Sequence, residues 1–73
     1  MSIKTDIVER VGPHILLGDV YIFYAQFGLS FVGDDVVLWV NVNGVDRKQT
    51  YPLTEFINFD MAEILEIANS MKQ

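Results

Sequence analysis

Val36 to Val40, VVLWV, is apolar without a break, and the chain then alternates as Asn41-Val42-Asn43-Gly44-Val45. A strand through this stretch is greasy on both faces, so something other than the first face of a core must account for the second. Asn43-Gly44 carries the strongest local signal. Asn-Gly between two extended runs favours a two-residue type I′ turn, because both residues accept positive φ. That turn pairs Val42 with Val45, Val40 with Arg47, Trp39 with Lys48, Leu38 with Gln49 and Val36 with Tyr51. A three-residue loop would instead bring Lys48 opposite Leu38.

The same reasoning applies to FVGDDVV upstream. A two-residue turn at Gly33-Asp34 or at Asp34-Asp35 puts Leu29 and Phe31 on the face of Val36, Leu38 and Val40; register follows from which face must be buried. One face of the resulting sheet carries Leu29, Phe31, Val36, Leu38, Val40, Val42, Val45 and Tyr51, and it suits a helical cover. The other carries Val32, Val37 and Trp39 inside a polar rim of Ser30, Asn41, Asp46, Lys48 and Thr50. Ser30 reads as an outward-facing filler.

Val20 to Phe27 is rich in β-branched and aromatic residues and continues past Gly28 into Leu29–Val32. Unbroken from Asp19 to Val32, such a strand would run about 46 Å, too long for this domain, so a turn or bend is expected near Gln26 to Gly28. Depending on that bend, either Tyr21, Phe23 and Ala25 or Ile22 and Tyr24 join the Trp39 patch. Leu16-Leu17-Gly18-Asp19-Val20 marks a further turn, with His14 to Leu17 as a short extra strand.

Helical periodicity is confined to the two ends. Ile3, Ile7, Val8 and Val11 form one stripe, with Ser2 or Thr5 as candidate cap and Gly12-Pro13 as the stop. Near the C-terminus Asp60 occupies an N-cap position with Glu63 three residues on, and Phe59 and Ile64 are spaced for a hydrophobic staple. Met61, Ile64, Leu65, Ala68 and Met71 make the apolar face. The pattern predicts one α+β domain over residues 1–73: a small antiparallel β-meander of three to five strands, flanked by an N-terminal and a C-terminal helix.

Size and charge narrow the function. The chain has 73 residues, a net charge of −5 and no cysteine. Disulfide frameworks and thiolate metal sites are therefore excluded. Between Val11 and Asp46, and again from Gln49 to Met71, there is no Lys or Arg. Direct nucleic-acid binding needs a basic footprint that replaces phosphate counterions, and an anionic membrane is disfavoured on the same ground. The longest apolar run, Val20 to Ala25, is too short to span a bilayer, and the N-terminus has no signal-peptide pattern. A cytoplasmic protein is the expectation.

No catalytic constellation emerges. His14 is the single histidine, no serine lies in a nucleophile motif, and a lone histidine reads as a structural residue. Asp34-Asp35 reads as turn chemistry, the acids do not follow calcium-loop spacing, and the glycines stand singly at turns. No enzyme, no metal and no cofactor is expected.

Binding is what remains. Aromatic residues centred in a polar rim are the anatomy of an interface, and Trp39, Lys48, Tyr21, Phe23 and Val37 are the contact candidates. The competing arrangement lays the N-terminal helix over Trp39 and the C-terminal helix over the other face. A second candidate surface is acidic: Asp34, Asp35, Asp60, Glu63 and Glu66 could imitate nucleic-acid phosphates in a basic groove, as small inhibitors from phages and mobile elements do to restriction or CRISPR systems. The expected function is a non-catalytic regulator or inhibitor that occupies a partner protein's surface, with the acidic mimic and a structural homodimer as alternatives.

Overall fold

A computed structural model describes residues 3–24 and 27–73. Helix α1 (Ile3–Val11) leads into five strands: β1 (His14–Leu17), β2 (Val20–Phe23), β3 (Phe27–Val32), β4 (Asp35–Val42) and β5 (Val45–Pro52). A single turn of helix, α2 (Leu53–Phe56), and a longer helix, α3 (Met61–Met71), complete the chain. The strands form one antiparallel sheet in the order β1-β2-β3-β4-β5. This is the expected α+β meander, at the upper end of the expected strand number.

The turns behave as their residues dictate. Asn43 and Gly44 have φ of 53° and 82°, the paired positive values of a type I′ turn. Asn41 steadies it by accepting a 3.2 Å hydrogen bond from the Gly44 amide while its own amide donates to Asp46 at 2.9 Å. Every β4–β5 pair anticipated from this turn is present, Trp39 opposite Lys48 included. Between β3 and β4 the turn is Gly33-Asp34, which pairs Val32 with Asp35 and sets Leu29 against Leu38 and Phe31 against Val36. The same Gly-Asp pair, at Gly18-Asp19, joins β1 to β2.

The turn or bend expected near Gln26 to Gly28 is a complete reversal between Phe23 and Phe27. Phe23 pairs with Phe27, so the strand breaks after Phe23 and the three-residue connection begins at Tyr24. Ala25 and Gln26 fall outside the described residues, as does the candidate cap Ser2. Thr5 is not the cap of α1, because it is already the helix's third residue.

Both helices lie on the same face of the sheet. Ile7, Val8 and Val11 of α1 join Ile64 and Ala68 of α3 in one buried cluster with Phe23, Phe27, Leu29, Val36, Leu38 and Val40. The arrangement with one helix on each face is thereby overturned. At the margin of the cluster Val42 is only half-buried and Val45, its partner beside the β4–β5 turn, is exposed. Ile3, the first member of the α1 stripe, is likewise exposed.

Charged side chains fasten the helices. Arg10 donates to the Ile57 carbonyl at 2.8 Å and Arg47 to those of Met71 and Gln73 at 2.9 and 2.7 Å. The Arg47 guanidinium thus meets the negative end of α3. At its other end Asp60 accepts from the Glu63 amide at 2.8 Å, the cap that the sequence announces.

Helix α2 has no counterpart in the sequence pattern, and it supplies the largest fully buried side chain, Phe56. Pro52 enters extended and the Leu53 amide donates to the Asp34 carbonyl at 2.8 Å. Phe56 then stacks edge-on with Phe59 at 5.4 Å and lies 6.0 Å from Tyr51. Truncating it opens a cavity in a small core. Phe56→Ala should cost about 3–5 kcal/mol, read from urea denaturation, with Phe56→Leu costing less. A loss under about 1 kcal/mol for the alanine variant would contradict this packing.

Candidate functional site

With α1 and α3 on one side, alternation leaves the other side of the sheet without a helix. Cross-strand pairing arranges that open face in rows. Ile15, Ile22, Gly28, Trp39 and Lys48 make one row, and Leu17, Val20, Ser30, Val37 and Thr50 the next. Ile15, Leu17, Ile22 and Val32 are exposed here to 49, 67, 38 and 63 %. They are four of the eight large apolar side chains exposed among the described residues, and they share one surface.

Trp39 organises its centre. Its direct neighbour on β3 is Gly28, which offers no side chain, and its indole Nε1–H donates to the Ser30 hydroxyl at 2.8 Å. Ser30 is therefore not a filler: it is buried, and its hydroxyl holds the indole in place. On the β5 side the Lys48 ammonium stands 5.3 Å from the indole centroid, a cation–π contact. Val37 is buried within the face. A Cβ at Gly28 would come within 3.3 Å of Val20 Cγ1 and 3.4 Å of Ile22 Cδ1, so the bare backbone lets these side chains settle close to it. A depression of about 310 Å³ opens at this end of the sheet, walled by Ile22, Gly28, Trp39 and Asn41 of the open face and by Phe23, Phe27 and Lys72 of the helix side.

Of the two alternatives for extending this patch, the structure takes the one with Ile22, while Tyr24 is exposed in the turn that follows β2. Tyr21 and Phe23, the contact candidates on β2, lie on the helix side. Phe23 is 2 % exposed and stacked on Phe27 at 5.3 Å. Tyr21 is half-buried, edge-on to Phe31 at 5.7 Å. The correction follows from the β2–β3 pairing: Tyr21 sits opposite Leu29, a core residue, and Ile22 opposite Gly28.

The acidic candidates do not gather in one place. Asp34 lies in the β3–β4 turn, Asp35 opens β4, and Asp60 is engaged as the α3 cap. Glu63 and Glu66 are exposed on α3 and border a separate groove of about 470 Å³ with Gln49, Tyr51 and Ser70. Burial, and secondarily the Glu55 carboxylate, raises the Tyr51 phenol above its ordinary value of 10. His14 has its Nδ1 2.9 Å from the Gly12 carbonyl, with its ring against Tyr21 and Phe23. Among the described residues no group of three or more His, Cys, Asp or Glu is placed to hold a metal, and no helix is long and apolar enough to cross a membrane. No protein-family model, characterised protein or solved structure matches the chain at a significant level.

Two outcomes check this geometry. Trp39→Phe and Ser30→Ala each break the indole–hydroxyl bond and should each cost about 1–2 kcal/mol, with the double variant costing less than their sum; strict additivity in denaturation would deny the coupling. Tyr51 tests the other face. Its phenol keeps its proton in the native state at pH values where the unfolded chain has already lost it, so stability should fall as pH rises through and beyond 10. Tyr51→Phe should remove that part of the alkaline loss, as followed by circular dichroism across an alkaline titration.

Proposed function

We propose that this protein is a non-catalytic binding module that regulates or inhibits another protein by occupying its surface. One observation carries the reading: both long helices cover the same face of the sheet, and the opposite face presents a tryptophan amid exposed aliphatic side chains. Trp39 and Val37 stand at the centre of the contact, with Lys48 over the indole at its margin and Ile22 and Tyr24 extending it. Hot spots of this kind pair a fixed aromatic anchor with a polar rim that excludes water, and Asn41, Asp46 and Thr50 supply that rim. His14, held against a carbonyl and two aromatic rings, is given a structural role and no catalytic one. The cytoplasm is the compartment that suits a cysteine-free module of this type.

The acidic mimic is kept as a second reading because Glu63 and Glu66 stay exposed beside a groove, away from the Trp39 face. In that reading a phage-type inhibitor would present α3 to a basic nucleic-acid-binding groove. The two readings separate by variant and by salt. Affinity capture from host lysate with the wild-type chain should retain a protein that Ile22→Asp and Trp39→Ala lose, with little change on raising salt. Loss instead with Glu63→Lys/Glu66→Lys, and steep weakening with salt, would transfer the function to α3.

A further inference from the structure

We infer that the open face of the sheet is self-complementary and that its occupant is a second copy of this chain, giving a two-sheet sandwich with the helices outermost. The inference takes from the preceding reading only that this face is the binding surface, and places a second copy there instead of a different protein.

Three features carry it. The first is how the face is divided from edge to edge. Its apolar side chains cluster at the β1–β2 end as Ile15, Leu17, Val20 and Ile22, while Asp46, Lys48 and Thr50 of β5 form the opposite margin. A two-fold axis running across the strands, between the sheets, lays β1 on β1 and β5 on β5. The row of Ile15, Ile22 and Trp39 then faces the row of Leu17, Val20 and Val37 of the second copy, and the polar margins meet each other. An axis along the strands would instead bury Lys48 on isoleucine and leucine, a charge left without a partner.

The second feature is area. Five strands spaced about 4.8 Å apart and four to eight residues long give a flat footprint of about 480 Å². Corrugation raises this to on the order of 1,200 Å² of accessible surface over two copies, the lower end of specific interfaces. A weak, reversible dimer in the micromolar range is the expected strength.

Charge is the third. At −5 per chain, self-association must keep carboxylates apart. Glu63 and Glu66 lie exposed on α3, which packs on the other side of the sheet. On the open face the formal charges, Asp35, Asp46 and Lys48, all lie on β4 and β5, and the positions of β1, β2 and β3 carry none.

Sedimentation equilibrium over about 1–500 μM tests the inference, since the expected dissociation constant falls inside that range. The weight-average mass should rise from 8.3 kDa toward twice that value, and Trp39 emission should shift to the blue as concentration increases. Ile22→Asp, placed on the open face but not at an edge, should hold the protein monomeric with unchanged circular dichroism. Leu16→Asp, exposed on the edge strand but on the helix side, should leave the dimer intact. A wild-type chain that stays monomeric throughout overturns the second copy as occupant. The binding reading itself is then decided by the capture experiment with Ile22→Asp. A dimer dissolved by Leu16→Asp and indifferent to Ile22→Asp is edge-paired and equally overturns the proposal.

Discussion

Successive side chains of a strand point to opposite faces, so the length of each turn decides which half of a strand meets the helices. Everything else in this molecule depends on that constraint. Two-residue turns at Gly18-Asp19, Gly33-Asp34 and Asn43-Gly44 join odd positions to even ones, while the three-residue connection after Phe23 keeps them in step. The result is one set that includes Phe23, Leu29, Leu38 and Val40, buried beneath α1 and α3, and a second set centred on Trp39. A change of one residue in any turn would exchange the two sets for the strands on one side of it.

The legibility of the chain follows from the same rule. β4 and β5 could be read to the residue because Asn-Gly has a strong conformational preference and a misread register would have put Lys48 in the core. The phase of β2 could not be read. Tyr24-Ala25-Gln26 carries no glycine or proline to announce a loop, so Tyr21 and Phe23 were as eligible for the open face as Ile22 and Tyr24. Phe56 was invisible for a different reason. A four-residue helix is too short to show a period, and its place is fixed by Pro52 and by the Leu53 amide reaching the Asp34 carbonyl, a contact between segments distant in sequence. Ser30 reads as a filler in the sequence because a small hydroxyl in a strand has no distinguishing pattern until a donor such as the Trp39 indole is brought beside it.

The helices' choice of face has an electrostatic side as well. Of five basic residues, Arg10 and Arg47 are turned toward backbone carbonyls at helix ends, while Lys4 and Lys48 lie over the rings of Phe31 and Trp39. The scarce positive charge is thus spent on holding α1 and α3 to the sheet and on covering aromatic faces. The acids are more numerous and largely face water, which gives the helix side a negative field and leaves the interior of the Trp39 side close to neutral. A 73-residue chain thereby separates a solvated side from a sparingly solvated one with a single sheet between them.

The hydrogen bond from Trp39 to Ser30 has a consequence for the cost of association. A free indole on an exposed strand samples several rotamers, and binding would have to select one at an entropic penalty of about 0.5–1.5 kcal/mol. Here the Nε1–H···Oγ bond selects it within the isolated chain, with the vacant position of Gly28 alongside and the Lys48 ammonium over the ring. Folding therefore bears the ordering cost of the indole, and anything that settled on this face would find that side chain already in its rotamer.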